Sequence, residues 1–437
     1  MRLLVRLLLL VSVFVCASVS ASERDLLDAL VSRGVLTDDA AEIVKKESAG
    51  IAENPFGNRV RFLAFWHLRY QYMDERYSSA DSPDDSYEKH NFAIRRIVPV
   101  VIANLTENSK AMFTLYLPSN WLINTARYQY DVDEENLCGS FWLGYEYVFF
   151  CMEEPESGMR LLTPDRSIVN MYFGSGDGYV KWNTVSNNIF SSNEAFSGYH
   201  TGAYWHGKFT KNKSLIYRLA VTNSKPGEVR FDNCTGLAFW ASLGVDHEED
   251  GNRYRFGVNG GYSTRVVSAV RHAAGYWPPE DYGDCVGVNP YIWLYVNRWT
   301  FVAEYVATSL KYGRTVDDEH PLYTINSPRA NPIGYYFLLA YKFDINPFGE
   351  FEPVFRYSRV NSNGRGIDET VMYMAEMNDG LFDSAEAYYV GFNWYLMGQT
   401  LKYQVGGEFV RLRDAPFGTE SKKSDLFVFI TQVQLIF

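Results

Sequence analysis

The chain is poor in the features that mark most enzymes and most helical membrane proteins. After the first two dozen residues, no run of about 18 or more apolar residues remains, so no transmembrane helix is expected. Histidines number only seven and form no convergent cluster, and there is no HExxH zinc motif and no GxSxG elbow. An outer-surface lipase or protease is therefore disfavoured, although triads assemble in space and can escape a linear reading. Cysteines number five, with no CxxC or Cys/His spacing for a metal, so no metal or cofactor is expected. Basic residues are outnumbered, 41 against 52 acidic, which gives a net charge of −11 and excludes a general nucleic-acid-binding field.

What is present begins with a secretion signal. Arg2 and Arg6 precede a short apolar stretch, Leu7 to Val15, and Val19-Ser20-Ala21 offers a cleavage site. Residues 1–21 read as a signal peptide. Cys16 raises a lipoprotein reading, but Val15 stands where a small residue is wanted. Without Arg2 and Arg6 the mature chain carries 39 basic and 52 acidic residues. Its four remaining cysteines, Cys138, Cys151, Cys234 and Cys285, travel to a compartment where disulfides form.

Residues 22–55 form a second segment. Leu26, Leu27, Leu30 and Val31, then Ile43 and Val44, recur at helical spacing, with Thr37 or Asp38 as a cap. The segment reads either as a periplasmic helical hairpin able to self-associate or as a partly helical leader.

From residue 60 the apolar period becomes two. Trp66, Leu68, Tyr70 and Tyr72 alternate with His67, Arg69 and Gln71; Phe351, Pro353, Phe355 and Tyr357 alternate with Glu352, Val354, Arg356 and Ser358. Sixteen such runs are expected, near 60–73, 91–104, 110–117, 126–131, 140–148, 199–209, 214–223, 236–246, 252–263, 286–296, 299–308, 333–343, 350–359, 386–397, 400–411 and 425–437. Each approaches the length that crosses a bilayer as a tilted strand. The connections alternate: Thr210–Lys213, His247–Gly251, Asn297–Arg298 and Met397–Gln399 are short, whereas Asp74–His90, Phe149–Gly198, Thr264–Cys285, Lys311–Pro332 and Val360–Glu386 are long. Aromatics reach 16 % while mean hydropathy is only −0.22. Together these predict an all-β protein in which residues 56–437 form a transmembrane antiparallel β-barrel of about 16 strands in outer-membrane lipid, both termini periplasmic. Val433, Leu435 and Phe437 alternate at the end of the last run, like the sorting signal read by the barrel-assembly machinery.

Alternation also assigns the lumen, because a charge at the lipid midplane costs about 2–4 kcal/mol for Arg or Lys. Arg69, Arg218, Arg253, Arg255, Arg356 and Lys402 fall on the inward set, with Glu304, Glu352 and Glu408. Arg95 should point inward and Arg96 outward, unless a bulge turns both into the lumen. In the longest connection Arg160, Arg166 and Lys181 could narrow the pore or could be solvated surface charges. Gly174-Ser175-Gly176-Asp177-Gly178 reads as plain loop rather than an anion nest or a calcium turn.

Several short patterns resemble the phosphate-selective porin family of the O and P type: Phe92-Ala93-Ile94-Arg95-Arg96, Ala220-Val221-Thr222-Asn223, the paired Gly202 and Gly207, Phe355-Arg356-Tyr357-Ser358, and Gly391-Phe392-Asn393-Trp394-Tyr395. The resemblance implies passive diffusion of small hydrophilic solutes, an arginine-lined constriction built from Arg95 and Arg96, an infolded third external loop, and a homotrimer. The acidic Asp74–His90 stretch departs from the external basic cluster of a phosphate specialist. The expectation is thus a porin with an anion preference that could extend to phosphate. The alternatives are a non-conducting structural or adhesion barrel, or an outer-membrane enzyme.

The cysteines follow from the same topology. An extended strand rises about 3.3 Å per residue, so Cys138 and Cys151, at opposite ends of one strand, lie roughly 30 Å apart, beyond the 4.4–6.8 Å of a bridged pair. Cys234 and Cys285 both fall in external connections and are the expected disulfide, with Cys138 free.

Overall fold

A computed structural model describes residues 59–78, 85–116, 122–133, 138–174, 196–209, 214–224, 236–267, 282–311, 329–364, 366–367, 382–414 and 421–437. The leader, the 22–55 segment, Lys181 and Cys234 lie outside them.

The alternating stretches form sixteen membrane strands in one closed antiparallel sheet: β1 Val60–Ser78, β2 Asp85–Asn104, β3 Ser109–Tyr116, β4 Leu122–Asp133, β5 Cys138–Tyr147, β6 Tyr199–Lys208, β7 Leu215–Asn223, β8 Leu237–Glu249, β9 Asn252–Val267, β10 Tyr282–Val296, β11 Trp299–Lys311, β12 Ile333–Tyr341, β13 Glu350–Asn361, β14 Ser384–Met397, β15 Leu401–Arg413 and β16 Lys423–Ile436. Two residue pairs, Arg329–Ala330 and Phe343–Asp344, continue β12 on either side of short breaks and add no further crossing. Pro332 lies in the first break, where its missing N–H removes a ladder donor.

Each strand pairs with its sequence neighbour, and β16 pairs with β1 from Phe65↔Ile436 to Ser78↔Lys423. Phe437 seals the seam, exchanging backbone hydrogen bonds of 3.0 and 2.7 Å with Ala64. Closure removes every free edge, the only way a sheet can satisfy its backbone in lipid. The short ends are tight turns: Asp250 and Gly251 both have positive φ, 51° and 76°, the combination that matches strand twist in a two-residue hairpin.

Outward positions are apolar and lie bare, among them Leu219, Val221, Phe239, Leu243, Phe256, Val258 and Val390. Aromatics gather near the short-turn rim, where Trp299, Tyr341 and Phe343 pack in succession, tilted and then edge-on, at 4.6 Å, and Phe62 and Phe348 are exposed.

Two expectations change. The stretch Asp74–His90 is not a loop: β1 runs to Ser78 and β2 begins at Asp85, so most of it is a hairpin rising past the membrane, held by pairs such as Asp74↔Glu88. Likewise β9 reaches Val267 and β10 starts at Tyr282, which takes Cys285 out of the external connection and into the wall. Strands that continue beyond the bilayer lose the apolar half of their alternation, which is the signal that marks their ends.

Candidate functional site: the loop-lined lumen

The connection from β5 to β6 turns inward. Val148, Phe149, Phe150, Met152 and Phe196 are buried against lumen-facing wall residues that include Trp240, Val306, Leu338, Val354 and Val410. A short helix, α1 Ile168–Phe173, is buried along its whole length. Ser167 caps it: its Oγ accepts from the Asn170 N–H at 3.2 Å, and the Ser167 N–H and Oγ–H both donate to Glu153 Oε2, at 2.8 and 2.6 Å. Arg166 points into the loop itself and donates to the carbonyls of Glu153, Glu154 and Glu156 at 3.0–3.1 Å. Two wall glycines make room. A Cβ on Gly287 would lie 2.5 Å from Phe196 and 2.7 Å from Phe150, and one on Gly334 would lie 2.8 Å from Phe173.

Polar clamps fix the loop to the wall. The Arg69 guanidinium on β1 makes a two-pronged contact with Asp165, at 2.8 and 3.0 Å, and also donates to Gln432. Arg95 on β2 lies 3.5 Å from the same carboxylate and donates to Tyr116 Oη at 2.7 Å. Arg356 on β13 reaches Thr163 Oγ1 (2.7 Å), the Asp165 carbonyl (2.8 Å), Glu153 (3.4 Å) and Glu408 (3.0 Å). Lys402 on β15 donates to the carbonyls of Met159 and Leu161, and Asn393 on β14 to that of Leu162. Glu304 on β11 accepts from the Met152 N–H (2.8 Å), Tyr336 Oη (2.7 Å), Asn289 and Trp293. Exposure of 1 % for Arg356 and 3 % for Arg69 means that these guanidiniums face the loop and not a passing solute.

The double arginine is resolved by a bulge. His67 pairs with Arg96 and Leu68 with Ile94, so Arg95 is the extra residue and both arginines are buried on the inner side. Arg96 lies against Gly158 of the loop.

Other basic residues face the remaining lumen. Arg253 and Arg255 on β9 flank Asp246 on β8; Arg253 binds it with two contacts of 2.8 Å, and Arg255 lies 3.7 Å from it and 3.4 Å from the loop's Glu156. Arg218 on β7 is half-buried, and Arg160 on the loop is exposed. Arg127 on β4 was missed by the sequence reading. It pairs with Glu146 on β5 and lies 3.8 Å over the Trp142 ring. Asp165 was missed as well, because nothing local distinguishes one loop carboxylate from another.

Val433, Leu435 and Phe437 lie at the seam, with Leu435 beside both Trp66 and Leu401. Cys138 opens β5 beside Lys208, while Cys151, thirteen positions on, is buried in the loop. Cys285 faces inward, fully buried. Gly174 ends α1, its N–H donating to the Asn170 carbonyl, and the rest of the glycine-rich turn lies outside the described residues.

A closed sixteen-stranded sheet, an apolar outer face and a loop folded into the lumen describe one known architecture. The chain has the fold of an outer-membrane porin. It is similar to an anion-selective porin from Comamonas acidovorans, with a TM-score of 0.50 and 10 % identity over 86 % of this chain and 99 % of that one. Pseudomonas putida OprB aligns at a TM-score of 0.45 and 9 % identity, over 86 % of this chain and 94 % of the other. The outer membrane channel DcaP of Acinetobacter baumannii aligns at 0.45 and 11 %, over 86 % and 97 %. No family model and no curated protein matches the sequence. The porin fold places the chain in the outer membrane, with β1 and β16 joined at the seam.

Proposed function

We propose that this porin-fold chain is a passive diffusion channel with a preference for small anions. One observation carries the reading: the loop neutralises one arc of inward arginines and leaves another to the passage. Arg69, Arg95 and Arg356 are spent on Asp165, Glu153 and Glu408. Arg127 and Arg253 pair with the wall carboxylates Glu146 and Asp246, Arg255 touches the loop only at Glu156, Arg218 has no ion pair among the described residues, and Arg160 adds a charge on the loop's exposed side. A pore selects by the charges lining it rather than by the protein's net charge. The preference therefore belongs to this second set, with Arg95, Arg96, Arg166 and Arg356 acting through the position of the loop.

The test is the zero-current potential of the purified protein in a bilayer under a KCl gradient. Anion preference is expected, and Arg253→Gln with Arg255→Gln should move the potential toward the cation side. A cation-preferring unmodified protein overturns the reading. The resemblance to the O and P porins adds phosphate and a homotrimer, to be checked by competition of phosphate with chloride current and by crosslinking. A plugged, non-conducting barrel is the second reading, favoured by the apolar cluster that fills one side of the lumen; absence of any conductance would establish it. The leader at 1–21 and the helical segment at 22–55 complete the proposed organisation. A Cys234–Cys285 disulfide is retained as a proposal, its Cys285 end on the inner face of β10.

A further inference from the structure

Arg218 is the one wall arginine of the conducting arc that has no ion pair and no hydrogen-bond partner among the described residues. Its register neighbours are His206 on β6 and Ser242 on β8. Directly opposed residues on adjacent strands hold their Cβ atoms about 4.5–5.5 Å apart, so the three side chains share one patch of inner wall. The other two are unsatisfied as well: His206 Nε2 and Ser242 Oγ are buried polar atoms without a partner. Buried polar groups are nearly always hydrogen-bonded, so two such groups flanking a half-buried, unpaired guanidinium can bind one ligand together.

The surroundings define its chemistry. The His206 ring is held by Trp142, stacked at 3.9 Å, and by Phe149, edge-on at 6.1 Å. That makes one side of the patch aromatic and fixes the ring. The Tyr291 hydroxyl lies over Gly244 and Gly257 on the same wall, within electrostatic reach of Arg218. Charges near Arg218 are Arg253, Arg255 and Asp246, and Arg255 also meets Glu156. With Arg127 and its partner Glu146 beside His206, four arginines face the three carboxylates Asp246, Glu156 and Glu146, a surplus of one positive charge. A guanidinium fork with flanking hydroxyl and ring N–H donors suits a planar oxyanion. A dianion would bring more charge than the patch lacks.

We infer that Arg218, His206 and Ser242 form a binding station for a monocarboxylate solute on the inner wall between β6 and β8. The inference rests on the anion-channel reading and names a solute class for it. The patch is lined by an aromatic ring on one side, which accommodates the hydrocarbon end of such a solute.

The experiment uses the full-length mature protein in a planar bilayer, with chloride current measured while acetate, or in a separate arm inorganic phosphate, is titrated in. Saturable block by acetate is expected, at lower concentration than block by phosphate. Arg218→Gln should raise the half-blocking acetate concentration roughly tenfold or more, and Ser242→Ala and His206→Gln each about threefold to tenfold. Heat-modified gel mobility confirms that each variant is a folded barrel, and the two uncharged sites keep the test alive if Arg218→Gln does not assemble. Equal acetate block in the unmodified protein and all three variants overturns the station. Stronger block by phosphate overturns the monocarboxylate assignment. An unmodified protein that prefers chloride over potassium yet shows no acetate block refutes the station alone, whereas cation preference refutes the channel reading beneath it.

Discussion

Asp165 sits between two guanidiniums, Arg69 on β1 and Arg95 on β2, and its backbone carbonyl accepts from a third, Arg356 on β13. The carboxylate is 3 % exposed, so protein partners and not water compensate its charge. Removing its charge leaves buried cations uncompensated, which costs about 3–5 kcal/mol. Asp165→Asn should therefore lower the urea midpoint of unfolding in lipid vesicles and, by loosening the loop, raise single-channel conductance. Unchanged conductance with unchanged stability would show that the clamp is dispensable. The inward direction of Arg69, Arg218 and Arg356 was legible from alternation alone, since their neighbours Leu68, Leu219 and Phe355 must meet lipid. What an inward arginine binds was not legible, because Asp165 stands 96 residues from Arg69 and approaches it only through the folded loop. The outward assignment of Arg96 was corrected by the bulge after Ile94, one extra residue that no periodicity announces.

At the scale of elements, the sixteen crossings were readable because each exposes one face to lipid and the other to the lumen. The exceptions are the ends. Asp74–Ser78 and Asp85–Glu88 are strand despite their charge, since above the bilayer both faces meet water and polar residues are tolerated. The infolded loop was foreseen only through resemblance; its six-residue helix α1 is too short to hold by itself and depends on its cap and its seat. Ser167→Ala removes the cap and the hydroxyl donor to Glu153, leaving the backbone N–H donor in place, and should cost about 1 kcal/mol. Gly334→Val adds a branched side chain where even a Cβ would lie 2.8 Å from Phe173, and should displace α1 from the wall. Both are checked by limited proteolysis of the folded barrel, where new cleavage between residues 150 and 174 is the expected result. Protection equal to the unmodified protein would mean that the helix is held from elsewhere.

For the molecule as a whole, the seam decides whether there is a barrel. Phe437 and Ala64 exchange two backbone bonds, and Phe437 also packs edge-on against Trp66 at 5.6 Å. Deleting Phe437, or replacing it with Asp, should reduce the yield of heat-modifiable protein in outer membranes several-fold, whereas a conservative Phe437→Tyr should preserve it. Equal yields for all three would separate the terminal aromatic from assembly. The infolded loop bears on the same event. It leaves the sheet between β5 and β6, yet the polar clamps on Asp165, Glu153 and the loop carbonyls come from β1 and β2 and from β13 to β15, at the two ends of the described chain, while β6, β8 and β9 add His206, Trp240 and Arg255. The loop therefore has no complete seat until the first and last strands meet, and closing the seam and filling the interior are one event.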